Sequence, residues 1–178
     1  MKKKTFVMLL ALVLVFGIAV GGTLAWIKIE TTPVVNTFTV GDINITLTES
    51  SNLDLKVIPG KTITKDPVVT VKGGSEACWL FIKIDKANWS EKLTYTVANG
   101  WTPLEGHTGV YYREVGAVAS DTGFQVLAND QVQCANTLTK TELEGMKTAA
   151  PTLTFTAYAV QKDGVADAAA AWTIATRA

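Results

Sequence analysis

The sequence predicts an all-β fold, a jelly-roll-type two-sheet β-sandwich with one or two short helices, and three observations carry that reading. Apolar and polar residues alternate with period two along most of the chain, the alternating runs are rich in valine, isoleucine and threonine, and Gly-, Pro- and Asp-containing turn pairs interrupt them at short intervals.

The elements follow in order. Phe38 and Val40 alternate with threonines, Gly41-Asp42 intervenes, and Ile43, Ile45 and Leu47 continue on the opposite parity. A one-residue slip at a glycine is what a β-bulge or tight bend produces. Leu53, Leu55 and Val57 predict a second strand, closed by the turn pair Pro59-Gly60. Ile63 and then Val68 to Val71 follow, with Gly73-Gly74 as a hairpin turn. Trp79 to Ile84 is apolar on both parities apart from Lys83, which predicts a central strand covered on both faces. Leu93 to Val97, Val110 to Val115, Phe124 to Leu127, Val132 to Cys134 and Leu153 to Ala159 complete the strand set.

Two helices interrupt it. Thr139 with Glu142 forms a capping box, and Leu138 with Leu143 forms the staple around it, so a helix should start there and end by Thr148, before Pro151. The run Ala168 to Ala171, after the Asp163-Gly164 turn, favours a second helix by propensity.

The N-terminus has a different character. Lys2, Lys3 and Lys4 precede an apolar or small run from Phe6 to Val20, which is short for a membrane span but right for a signal h-region. Gly21-Gly22 breaks it, and Thr23-Leu24-Ala25 offers small residues where a signal peptidase requires them. Residues 1–25 are therefore expected to be a cleavable signal peptide, cut between Ala25 and Trp26, leaving 26–178 as a single domain that is secreted and not held by a membrane. Removing that leader subtracts three lysines and leaves 13 basic side chains against 16 acidic. A net acidic chain argues against nucleic acid as a partner, because phosphate binding draws on clustered Lys and Arg.

Cys78 and Cys134 are the two cysteines. In an oxidising exterior they are candidates for a disulfide worth about 3–5 kcal/mol on the chain-entropy model. Two buried thiols acting as small hydrophobes is the equal alternative.

The sequence offers little for catalysis. His107 is the single histidine, in a loop-like stretch from Pro103 to Gly109, and one imidazole does not make an ordinary zinc site. No G-x-S-x-G elbow, calcium loop or glycine-rich phosphate loop is present. No catalytic residues, no metal and no cofactor are expected, and the chain reads as a non-enzyme. Trp79, Trp89, Trp101, Tyr111 and Tyr112 are either core and sheet-end residues or the lining of a sugar-binding face.

Several stretches resemble a known family. Gly21-Gly22-Thr23-Leu24-Ala25-Trp26 and Asn36-Thr37-Phe38-Thr39-Val40-Gly41 resemble the SipW-type signal peptide and first strands of the TasA/camelysin family, secreted proteins of Gram-positive (Firmicute) bacteria. Looser matches are Val57-Ile58-Pro59-Gly60, Lys65-Asp66-Pro67 and Thr154-Phe155-Thr156-Ala157-Tyr158-Ala159-Val160-Gln161. The resemblance implies a jelly-roll subunit, processed by a SipW-like signal peptidase, that polymerises with copies of itself into biofilm-matrix fibres, alone or with an accessory matrix or anchor protein. It further implies donor-strand complementation, in which the N-terminal segment of one subunit completes the sheet of the next. On this chain the donor is residues 26–40, with Ile27, Ile29, Val34, Val35 and Phe38 as the side chains to bury and Pro33 as a break in pairing. Some members are described as metallopeptidases, an activity the single histidine does not support. The alternative expectation is a secreted or surface β-sandwich that binds glycans or proteins.

Overall fold

The alternating runs become ten short strands and two helices in a computed structural model that describes residues 42–50 and 55–177. The strands are β1 (Ile45–Thr48), β2 (Thr62–Thr64), β3 (Val68–Val71), β4 (Cys78–Ala87), β5 (Leu93–Thr94), β6 (Thr102–Pro103), β7 (Val110–Val115), β8 (Thr122–Gln125), β9 (Gln131–Cys134) and β10 (Thr152–Gln161). The helices are α1 (Lys140–Thr148) and α2 (Ala168–Ala175). The signal peptide, the Ala25–Trp26 cut and the donor residues Ile27, Ile29, Val34, Val35 and Phe38 lie outside the described residues.

The strands pair antiparallel in three sheets, ordered β1-β3-β8, β10-β4-β7-β6 and β2-β9-β5. Their residues build an all-β, sandwich-like architecture. One face of β4 turns Cys78, Leu80, Ile82 and Ile84 into the main core, where they meet Val69 and Val71 of β3 and Ile63, Val132 and Cys134 of the third sheet. Its other face carries Phe81, wholly buried, into a second cluster with Ala168, Ala171 and Trp172 of α2. The expectation that this strand is central and covered on both faces is met, and the reason is visible in its sequence. A strand buried on one face needs apolar residues at alternate positions; one buried on both needs them nearly everywhere.

The β3 and β7 ranges fall where the alternation placed them, and α1 begins at the expected capping box. The Thr139 hydroxyl accepts from the Glu142 amide at 3.3 Å, and the Glu142 carboxylate accepts from the Thr139 amide at 2.7 Å. At the expected turn pair Pro59-Gly60, Gly60 adopts φ +73°, and the Lys61 amide donates to the Ile58 carbonyl at 3.0 Å.

Three expectations are corrected. Leu55 and Val57 are not in a strand: they line the wall of a groove described below, and alternation alone does not distinguish a sheet face from a groove wall. Gly73-Gly74 is not a hairpin turn, because β3 pairs with β1 and β8 while β4 belongs to the four-stranded sheet. The two glycines instead carry the chain from one sheet to the other. There a Cβ on Gly73 would meet the Ala119 carbonyl oxygen at 2.9 Å, too close for any side chain. The clean alternation of Leu93, Tyr95 and Val97 yields only the two-residue β5 and an isolated bridge between Val97 and Leu127.

Candidate functional site: a groove beside a sheet edge

The longest sheet edge belongs to β10. Its ten residues, Thr-Leu-Thr-Phe-Thr-Ala-Tyr-Ala-Val-Gln, pair in unbroken register with β4, from Thr152 opposite Ala87 to Gln161 opposite Cys78. Among the described strands β4 is its one hydrogen-bonded neighbour, so β10 ends the sheet as described, with β1 of the first three-stranded sheet lying near it. The strand contains no charged residue and no proline, the two devices that most often blunt an edge.

A groove of about 900 Å³ opens at the start of β10. Its floor comes from the third sheet, with Ile63, Leu93 and Val132, and its walls from Trp89, Leu153 and α1. Leu143 and Met146 of α1 face it, yet α1 has no fully buried residue. Leu55 and Ile58 stand at the mouth, 53% and 48% exposed, which is unusual for large apolar side chains close to one another.

Met146 packs α1 against the main core, and polar contacts fix its N-terminus. Lys92 reaches from the segment before β5 to the Glu142 carboxylate at 2.9 Å and to the Thr137 carbonyl oxygen at 2.9 Å. Glu142 also takes part in the cap, and the Lys92 ammonium together with the Thr139 amide and hydroxyl holds its carboxyl down to about 2. The helix is pinned at its N-terminus while its apolar face remains half-covered.

The other residues marked in the sequence are dispersed. Trp101 is buried in the main core, and its indole nitrogen donates to the Gln125 carbonyl at 2.8 Å. Tyr111 packs against the main core and Tyr112 against the second cluster, on opposite faces of β7. Trp101, Tyr111 and Tyr112 therefore do not share one surface, as the sugar-binding expectation required. Trp79 joins Tyr112 in an edge contact at 6.0 Å, and Trp89 joins Tyr95 at 6.0 Å.

His107 is exposed on its loop, with its ring 6.0 Å from Trp172 on the α2 side of the sheet. Cys78 and Cys134 are free thiols, both buried in the main core, and burial pushes both above the usual thiol range. Of the two alternatives for this pair, the structure has the unbridged one. Among the described residues no group of three or more His, Cys, Asp or Glu is placed to hold a metal ion. Among the same residues no helix is long and apolar enough to cross a membrane.

One arrangement escaped the sequence reading. Arg113 of β7 lies with its guanidinium 4.0 Å from the Phe124 ring centroid and 5.3 Å from that of Trp101. The signal that could have found it is parity: Arg113 falls between Tyr111 and Val115, on the side of β7 that faces the main core.

Comparison with protein-family models, with curated proteins and with solved structures finds no match to this chain. The groove and the edge strand β10, and not kinship, are the ground for a functional reading.

Proposed function

We propose that this protein is a secreted structural subunit that polymerises into, or associates with, extracellular biofilm-matrix fibres by donating its N-terminal segment to a sheet of the next copy. The observation that carries the reading is β10, ten uncharged residues at a sheet edge, hydrogen-bonded among the described strands to β4 alone, with β1 lying near it. A sheet edge of that length suits an extended segment, which gains main-chain hydrogen bonds wherever the edge is free to pair.

The donor in this reading is residues 26–40, released by a SipW-like signal peptidase between Ala25 and Trp26. The sequence supplies what an added strand needs, with Ile27, Ile29, Val34, Val35 and Phe38 spaced among polar residues. The jelly-roll form of the sandwich and its kinship with the TasA/camelysin family belong to the same proposal. Partners are copies of itself and an accessory matrix or anchor protein.

Negative-stain electron microscopy tests it. Secreted, processed protein should form fibres, and a version lacking Trp26 to Val35 should not. Particles of monomer size from both versions at high concentration, with and without a nucleating partner, would overturn the proposal.

A further inference from the structure

The turn between Val97 and Trp101 carries a reactive pair. Asn99-Gly100 is the one Asn-Gly pair in the chain. Both residues are exposed, and Gly100 takes φ +88°, in the left-handed region that glycine enters without steric cost. The turn is fixed on either side. The Ala98 amide donates to the Val126 carbonyl at 2.9 Å, and the Trp101 indole nitrogen donates to the Gln125 carbonyl at 2.8 Å. Between those anchors, neither the Gly100 amide nor the Asn99 side chain has a hydrogen-bond partner among the described residues.

Arg113 closes on the same turn. A Cβ built on Gly100 would lie 2.8 Å from Nη2 of Arg113 and 3.3 Å from its Cζ, so the guanidinium rests against the Gly100 backbone. Its aromatic neighbours, Phe124 and Trp101, bring no negative charge, and no carboxylate pairs with it among the described residues. A cation left without a carboxylate favours any negative charge that develops beside it.

From these observations we infer that Asn99-Gly100 is a self-modifying site whose cyclisation Arg113 promotes. The backbone nitrogen of Gly100, on losing its proton to hydroxide, attacks the side-chain carbonyl carbon of Asn99. A new C–N bond forms, the bond to the side-chain nitrogen breaks, and ammonia leaves with a proton from water. The product is a five-membered succinimide. Water then opens either ring carbonyl and leaves a carboxylate, as aspartate or as isoaspartate with the main chain running through the former side chain. Glycine permits the attack because it puts no Cβ in the way. Arg113 favours the first step, in which the Gly100 nitrogen carries negative charge, and offers the resulting carboxylate a counter-charge. The atom that isoaspartate adds to the main chain falls inside the turn, between the two anchors.

Peptide mass spectrometry tests it. Folded protein is held at mildly alkaline pH and body temperature, then cut after glutamate. The peptide Lys92–Glu105, in which Asn99 is the single asparagine, should gain about one mass unit and resolve into aspartyl and isoaspartyl forms. It should do so at least about tenfold faster than Val115–Glu142, which carries Asn129-Asp130 and Asn136-Thr137. That comparison lies within one chain and needs no variant. Arg113→Met should slow the gain at least about threefold with circular dichroism unchanged, and Arg113→Lys, which restores a cation, should recover most of the parental rate. Arg113→Gln takes the place of Arg113→Met should that variant lose its fold. An unmodified Lys92–Glu105 peptide, or one that changes no faster than Val115–Glu142, overturns the site. Equal rates in the parent and in the folded variant without a cation overturn the part given to Arg113. None of these readouts depends on fibre assembly, so this inference and the proposed function fail separately.

Discussion

The Arg113 guanidinium stacks on the ring of Phe124 at 4.0 Å, joining β7 of the four-stranded sheet to β8 of a different one. Trp101 takes a second position beside it, at 5.3 Å, and is itself tied to Gln125 of β8 through its indole nitrogen. A cation on an aromatic face is stabilised by the ring quadrupole without needing a carboxylate. Burial lowers the pKa of Arg113, and its buried Nε has no hydrogen-bond partner, so the stack and the packing of its stem are what favour this position.

Arg113→Ala should therefore destabilise the fold by about 1–2 kcal/mol, through lost stacking and lost stem packing together. Arg113→Met keeps the stem and removes the unpartnered polar atom, so it should cost less than about 1 kcal/mol. Urea midpoints of the two variants separate these effects. Equal losses for both would mean that the charge, not the packing, holds the two sheets here.

Burial of Cys78 and Cys134 gives a second expectation. Both thiols sit in the main core with raised pKa, so thiolate is scarce and access is poor. In native protein a chromogenic disulfide reagent should react at least about tenfold more slowly than with free cysteine, and two equivalents should react in denaturant. A mass two units lower, with no thiol titrated in denaturant, would show that the pair is bridged in the isolated protein.

Glu142 sets a pH window. Its carboxyl is held at about 2 against an ordinary 4.5, first by Lys92 and then by the Thr139 amide and hydroxyl. A depressed carboxylate contributes stability that is fully present above the unfolded value and lost as pH falls through the folded one. The contribution to α1 should thus be intact above about pH 4.5 and disappear towards pH 2. Glu142→Gln should flatten that part of the stability-pH curve, read from thermal midpoints between pH 2 and 6. An unchanged slope would mean that the cap carries no net stability in solution.

What was legible in the sequence follows from how local each signal is. The capping box of α1 is written in four adjacent residues, and the two-sided burial of β4 in six, so both could be read directly. The sheet assignment of β3 and β4 could not. Gly73-Gly74 is compatible with a hairpin and with a crossover, and the choice depends on Ala119 and Ser120, which pack against it from far along the chain. The groove failed to register for the same reason. Leu55, Leu93, Leu143 and Leu153 come from four separate stretches, and each alone looks like a core residue. The stack of Arg113 on Phe124 needed the opposition of two sheets that no local pattern encodes.

The edge of β10 yields the sharpest test of assembly. Thr154 is exposed and stands opposite Asp85, itself paired with Lys83, in the β10–β4 register, so a lysine there joins a solvated charged surface and leaves the subunit intact. On the outer side the same charge must be desolvated by any strand that docks, and lysine on an edge is how natural sheets resist addition. Thr154→Lys should keep Tm within about 2 °C of the parent, since an exposed substitution costs less than about 0.5 kcal/mol. Under the proposed strand donation, fibre growth, followed by light scattering and electron microscopy, should slow by at least about tenfold, which corresponds to about 1.4 kcal/mol at the docking step. A variant that assembles at the parental rate would place the docking edge elsewhere, and the outer strands of the two three-stranded sheets, β1 and β8 or β2 and β5, would then be the edges to charge next.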